Sequence, residues 1–156
     1  MSFKHKRVAV GGTFDHLHIG HKALLKTAFE SGESVVIGVS SDDFAKKLGK
    51  GIKQKFSNRV EKLKNFLNSI FPNRRYEIHT LNDHFGPIII DKDIDAIVVS
   101  EETLSKAKEA NELRKAKGLK LLKIILIDTV MAEDGLQVSS TRIRNKEIDE
   151  EGHKIR

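Results

Sequence analysis

Val8 to His21 reads V-A-V-G-G-T-F-D-H-L-H-I-G-H. A short apolar run leads into Gly11-Gly12-Thr13, and the stretch closes on His18-Ile19-Gly20-His21 at the expected start of a helix. A strand entering a glycine-rich turn and then a helix gathers backbone N–H groups and the positive end of a helix dipole at one point, which suits an anion. His18 and His21 are three apart and share a helix face, Thr13 adds a hydroxyl, and Gly20 lets a base or sugar come close to the backbone. Gly11-Gly12-Thr13 is not the G-x-G-x-x-G fingerprint, which argues against a dinucleotide oxidoreductase. Two rival readings stay open. One is a helix start with an incidental histidine pair. The other is a metal site from Asp15, His16, His18 and His21, weakened because His16 and His18 flank Leu17 in a turn and no Glu takes the zinc-helix position.

Working outward, Arg7–Val10 is the first strand. Leu17 to Phe29 shows helical spacing, with Leu24, Leu25, Ala28 and Phe29 as its buried stripe, and Ser31-Gly32 ends it with glycine in the C′ role. Ser34 to Val39 is a nearly continuous apolar strand, as expected in a parallel sheet covered on both faces. Phe44 to Lys55 is basic and glycine-punctuated, which predicts a loop or flap. Ser57 or Asn58 caps an amphipathic helix carrying Val60, Leu63, Phe66, Leu67, Ile70 and Phe71 on one face. Further strands are expected at Tyr76–Leu81, Asp95–Ser100 and Leu121–Ile127. A short helix or turn follows Gly86-Pro87, a charged helix runs from about Thr103 to Lys117, and a last helix starts near Ser139-Ser140-Thr141 and carries Ile143 and Ile148. Strands alternating with helices predict one α/β, Rossmann-like domain over residues 1–156, with a five-stranded parallel sheet flanked by helices. Ligands of such sheets bind beyond the carboxyl ends of the strands, near the switch in strand order. The segments to watch are therefore Gly11–His21, Ser40–Lys47, Leu81–Phe85, Ser100–Thr103 and Asp128–Thr141.

Composition narrows the function classes. The 156 residues are 38% hydrophobic and 32% charged, the balance of a globular chain with a real core. No apolar run approaches the roughly 20 residues of a membrane span, so no membrane partner is expected. With no cysteine, disulfides and thiolate chemistry are excluded and a cytoplasmic location is the default. The net charge of +6 invites a nucleic-acid reading. The lysines, however, are interleaved with glutamates along helical faces, as on a solvated surface, and no nucleic-acid partner is expected. Only Lys46 to Lys55 is a one-signed stretch.

A second constellation lies near the C-terminus, Val138-Ser139-Ser140-Thr141-Arg142-Ile143-Arg144. Ser139 or Ser140 reads as an N-cap, and one reading stops there. The functional reading sets the hydroxyls and the helix start against a polyphosphate, with Arg144 supplying charge.

Together, G-G-T-F-D-x-x-H-x-G-H and V-S-S-T-x-I-R resemble the nucleotidyltransferase superfamily with the HxGH and ISSTxxR motifs. Within it the chain is similar to the archaeal-type phosphopantetheine adenylyltransferases and to the corresponding domain of eukaryotic CoA synthase, over about residues 7–144. Arg59-Val60-Glu61, Phe85-Gly86-Pro87 and Val98-Val99-Ser100-Glu101-Glu102-Thr103 extend the likeness. The resemblance implies transfer of the adenylyl group of ATP to 4′-phosphopantetheine with Mg²⁺, giving dephospho-CoA and pyrophosphate. It implies that Gly11, Gly12, Thr13 and the backbone of Phe14 hold the attacking phosphate, and that His21, His18 and Lys46 are catalytic, with Lys47 the alternative lysine. Ser139, Ser140, Thr141 and Arg144 would take the triphosphate. The bacterial arginine pair after the fourth strand is replaced by Ser100-Glu101-Glu102-Thr103, leaving Asn111 and Arg114 as candidates by position. No metal ligands are assigned within the protein, and the oligomeric state is open. Other readings are a relative with a glycerol-phosphate, nicotinamide mononucleotide or FMN acceptor, a class I aminoacyl-tRNA synthetase fragment, and a nucleotide or metal sensor.

Overall fold

A computed structural model describes residues 3–155. Five parallel strands form one sheet in the order β3-β2-β1-β4-β5, namely Arg75–Leu81, Gly32–Ser40, His5–Gly12, Ala96–Val99 and Lys123–Leu126. The α/β, Rossmann-like architecture expected from strand and helix alternation is the one observed. Strand order reverses between β1 and β4, so a crevice opens beyond their carboxyl ends.

Alternation along each strand divides the core. Val8, Val10, Val35 and Ile37 pack with Leu25, Ala28 and Phe29 of α1 (Ile19–Ser31) and Leu63 and Leu67 of α3 (Phe56–Ile70). Ala9, Val36, Ile97 and Val99 face the other way, against Ala107 and Ala110 of α4 (Glu101–Ala116) and Ile88 of a 3₁₀ turn at Gly86–Ile89. Burying each such Leu, Ile or Val contributes roughly 1.5–3 kcal/mol, which is why β1 and β2 are apolar on both faces.

Several boundaries differ from the sequence-based expectation, each for a local reason. Gly11 and Gly12 belong to β1, paired with Gly38 and Val39 of β2, rather than to a turn. Gly32 has an extended backbone and starts β2. Its role is close packing, since a Cβ there would lie 2.7 Å from Val8. Helix α1 starts at Ile19, not Leu17, because His18 is its N-cap. The expected flap is helical at its start: α2 spans Asp42–Lys47, with Ser41 Oγ accepting from Phe44 N at 3.0 Å, acids in its first turn and lysines in its last. That charge order suits the helix dipole. Helix α3 begins at Phe56, so Ser57 and Asn58 lie inside it, and Ile70 is exposed. The last helix, α5, is only Ser140–Arg144, with Ser139 as N-cap. Ile148 lies beyond it, in a bridge with Lys154.

Candidate active site

A cleft of about 320 Å³ opens beyond β1 and β4. Of the residues singled out from sequence, Gly11, Gly12, Thr13, His18, His21, Ser139, Ser140, Thr141 and Arg144 line it. Two segments more than a hundred residues apart therefore share one wall.

The start of α1 is built differently from an open N–H cradle. His18 Nδ1 accepts from Gly20 N at 3.0 Å and His21 N at 3.3 Å, and His21 Nδ1 accepts from His18 N at 3.2 Å. This is a capping box made of two histidines. Ile19 N donates to Glu150 C=O at 3.0 Å. The first N–H groups of α1 are thus already satisfied, and the donors facing a ligand must come from the rings. The rings stack with centroids 3.7 Å apart. Burial is the main reason His18 is lowered to about 4 and His21 well below the ordinary imidazole value. Both are neutral at pH 7. Since Nδ1 accepts in each, the proton sits on Nε2, and each ring offers an N–H donor to the cleft it lines. Gly20 is glycine for the same reason: a Cβ would lie 2.8 Å from the His18 ring.

Phe14 supplies no side chain to the cleft. Its ring is buried beneath His21, centroids 5.1 Å apart, and its backbone has a positive φ of 55°. The next residue, Asp15, is 1% exposed. Its carboxylate accepts from Gln54 N at 3.1 Å, Lys53 N at 3.3 Å and Arg144 Nη1 at 2.9 Å, while Ser140 Oγ donates to its carbonyl. Arg144 Nη2 also reaches Thr141 Oγ1 at 3.1 Å. The metal reading of Asp15, His16, His18 and His21 loses its ligands here, because the carboxylate and both Nδ1 atoms already accept hydrogen bonds. Among the described residues no group of three or more His, Cys, Asp or Glu is placed to hold a metal ion.

Four of the candidate residues turn out to be elsewhere. Lys46 and Lys47 are exposed on the last turn of α2, away from the cleft. Lys50, beyond that helix, lines the cleft, and its Nζ is 3.8 Å from Glu102 on α4. Asn111 bonds the backbone N–H and C=O of Leu122, at 2.7 and 3.0 Å. Arg114 is fully buried and donates to the carbonyls of Lys120, Ile88 and Asp91. Both rivet α4 to its neighbours and leave the cleft to others. On that wall the cleft-lining groups are Ser100, Glu102, Thr103 and Lys106, with Asp128 and Thr129 after β5 and His84 after β3. His84, Asp128 and Thr129 sit in segments expected after strand ends. Lys106 was missed, although its place three residues after Thr103 sets it on the same helix face.

The comparisons agree with this geometry. The cytidylyltransferase-like family matches residues 9–146. The phosphopantetheine adenylyltransferase of Methanothermobacter thermautotrophicus is 46% identical over 156 residues, covering all of this chain and 93% of that one. The chain belongs to the phosphopantetheine adenylyltransferase family. The enzyme of that name from Methanopyrus kandleri is 44% identical over 145 residues, 93% of this chain and 92% of its own. A solved structure of a protein of unknown function from Archaeoglobus fulgidus superposes with a TM-score of 0.72 at 29% identity, covering 85% of this chain and 99% of that one. This family is one of nucleotidyltransferases.

Proposed function

We propose that the chain transfers the adenylyl group of ATP to 4′-phosphopantetheine, releasing pyrophosphate and forming dephospho-CoA. The observation that carries this reading is the single cleft shared by His18 and His21 with Ser139–Arg144. One polyphosphate can meet both.

An oxygen of the acceptor phosphate attacks the α-phosphorus of ATP in line. The new P–O bond forms as the bond from the α-phosphorus to its bridging oxygen breaks, and pyrophosphate leaves with that electron pair. Catalysis is then positioning and charge stabilisation, without a covalent enzyme intermediate. The Nε2–H donors of His18 and His21 take the oxygens on the α-phosphate. Lys50 bridges the two phosphates in this reading, supported by its place in the cleft lining, which does not include Lys46. Helix α5 has five residues, so the β- and γ-phosphates are held by the hydroxyls of Ser139, Ser140 and Thr141 and by Arg144 more than by a helix dipole. Thr13 and the Gly11–Gly12 backbone face the acceptor phosphate, and Lys106 with Thr103 takes the side where the sequence lacks an arginine pair.

Mg²⁺ fits as an ion carried on the substrate phosphates, because such sites need only one or two carboxylates and Asp128 offers one in the cleft. Held by Asp128 and the substrate phosphates, the ion would offset the repulsion between two phosphorylated substrates. No helix among the described residues is long and apolar enough to cross a membrane.

The test is product formation by the purified chain with ATP, Mg²⁺ and 4′-phosphopantetheine, read by mass and by pyrophosphate release. Dephospho-CoA is the expected product. Pyrophosphate from CTP or another acceptor, with none from this pair, would overturn the assignment.

A further inference from the structure

Arg59 lies in the first turn of α3, yet its side chain is wholly buried. Nε donates to the Gln54 carbonyl at 3.0 Å. Nη1 donates to the carbonyls of Thr13 at 2.6 Å and Ser40 at 2.8 Å. Nη2 meets Asp42 Oδ1 at 2.8 Å, and that same oxygen accepts from Phe56 N at 2.9 Å. One guanidinium therefore joins four segments: the turn after β1, the end of β2, the first turn of α2 and the chain before α3.

Two of those carbonyls belong to residues that line the cleft, at the ends of neighbouring parallel strands. A carbonyl oxygen turned toward a phosphate would repel it. Held on Arg59, which does not line the cleft, the Thr13 and Ser40 oxygens are directed beneath the site instead. Phe14, directly after Thr13, carries a positive φ, a conformation that a bulky residue keeps only when its surroundings overdetermine it. Arg59 grips the turn on one side of Phe14, and Asp15 grips it on the other. Gln54 joins the two grips, since its carbonyl accepts from Arg59 while its N–H donates to Asp15. The segment bearing Lys50 runs into that joint.

We infer that Arg59 is a positioning residue for adenylyl transfer, keeping the Thr13 and Ser40 carbonyls off the phosphates and tying the 48–55 segment to the phosphate turn. The inference rests on the reading under Proposed function. Lysine cannot replace it, because a single ammonium does not span four acceptors as the planar fork does.

Arg59→Lys is compared with the parent chain by thermal unfolding, steady-state kinetics and limited proteolysis. In folded Arg59→Lys, kcat drops roughly 10–100-fold while KM for ATP and for the acceptor stays within about threefold, as expected when reacting groups are misplaced but still bind. A folded variant whose kcat stays within about twofold of the parent overturns the inference. If Arg59→Lys does not hold its fold, Asp42→Asn decides. Asp42 is half exposed, and asparagine keeps an Oδ1 to accept from Phe56 N while taking the charge away from the contact with Nη2. A kcat lowered by about 3–10-fold at an unchanged unfolding midpoint supports the inference, and an unchanged kcat overturns it. Proteolysis reads the same link without the reaction. Cleavage at Gly49-Lys50-Gly51 becomes about tenfold faster in the folded variant if Arg59 anchors that segment, whereas equal rates count against it. Should the parent chain form no dephospho-CoA, the functional reading fails, while the proteolysis arm still decides whether Arg59 holds the segment.

Discussion

Arg144 and Asp15, 129 residues apart, form a buried ion pair with Nη1 2.9 Å from Oδ2 and side chains 9% and 1% exposed. The pair joins the two sequence motifs into one wall and gives each charge a partner inside the fold. Breaking such a pair from one side is costly because the other charge stays buried alone. Asp15→Asn is expected to lower unfolding stability by about 3–5 kcal/mol, measured by urea denaturation, and to weaken ATP binding as Arg144 loses its anchor. A loss below about 1 kcal/mol, the range of surface pairs, would show that the pair is not held as described.

The two histidines separate by substitution. Each ring caps the other's backbone through Nδ1, while its Nε2–H is left for the substrate. His18→Asn keeps an N-cap acceptor, so it should fold with a midpoint near the parent's and still lose turnover. His18→Ala loses the cap as well, and about 1 kcal/mol with it. For His21→Ala, kcat should fall on the order of 10²–10³-fold, the effect of removing one preorganised donor. Near-normal turnover in a folded His21→Ala chain would remove it from the mechanism.

The pH dependence has a defined sign. His18 is lowered from 6.5 to about 4 in the folded chain, chiefly by burial, and His21 is shifted in the same direction. Between those values the unfolded chain binds more protons than the folded one, so stability falls as pH drops below about 6.5, and the His18 share of the loss is nearly complete by pH 4. The His18 share approaches roughly 3 kcal/mol, at about 1.36 kcal/mol per unit. Urea midpoints measured from pH 8 to pH 4 should show this slope, flattened in a His18→Asn chain. Because both rings stay neutral, kcat should show no histidine-like inflection near pH 6.5.

Lys50 and Lys46 make a direct comparison. Lys50 lines the cleft 3.8 Å from Glu102, and Lys46, in the last turn of α2, is not part of the cleft lining. Lys50→Ala should cost on the order of 10²-fold in kcat, whereas Lys46→Ala should leave kcat near the parent value. The reverse order in steady-state kinetics would return the bridging role to Lys46.

Local patterns were enough for much of the fold. The apolar run at Ser34–Val39 marked a strand buried on both faces, and strict alternation of strands and helices dictated a parallel sheet with its ligand crevice at the carboxyl ends. The H-x-G-H and S-S-T spacings located both halves of the cleft, since three-residue spacing places side chains on one helix face wherever the helix lies. Those are properties of neighbouring residues. The sequence was silent about which charged groups are ligands and which are internal rivets. Arg114 and Arg59 have the same chemistry as Arg144, but only packing shows that the first two are consumed by backbone carbonyls. Lys46 and Lys50 stand four apart in one basic stretch, and the end of α2 decides which of them meets the cleft. Gly11–Gly12 looked like a turn because their strand partners, Gly38 and Val39, are in another element. The sequence by itself determined the sheet, the crevice and the two motifs. Tertiary structure decided the donors, because a side chain serves a ligand only through the groups that packing leaves facing the cleft: Arg59 and Arg114 are turned onto backbone carbonyls away from it, whereas Arg144, though paired with Asp15, still lines it.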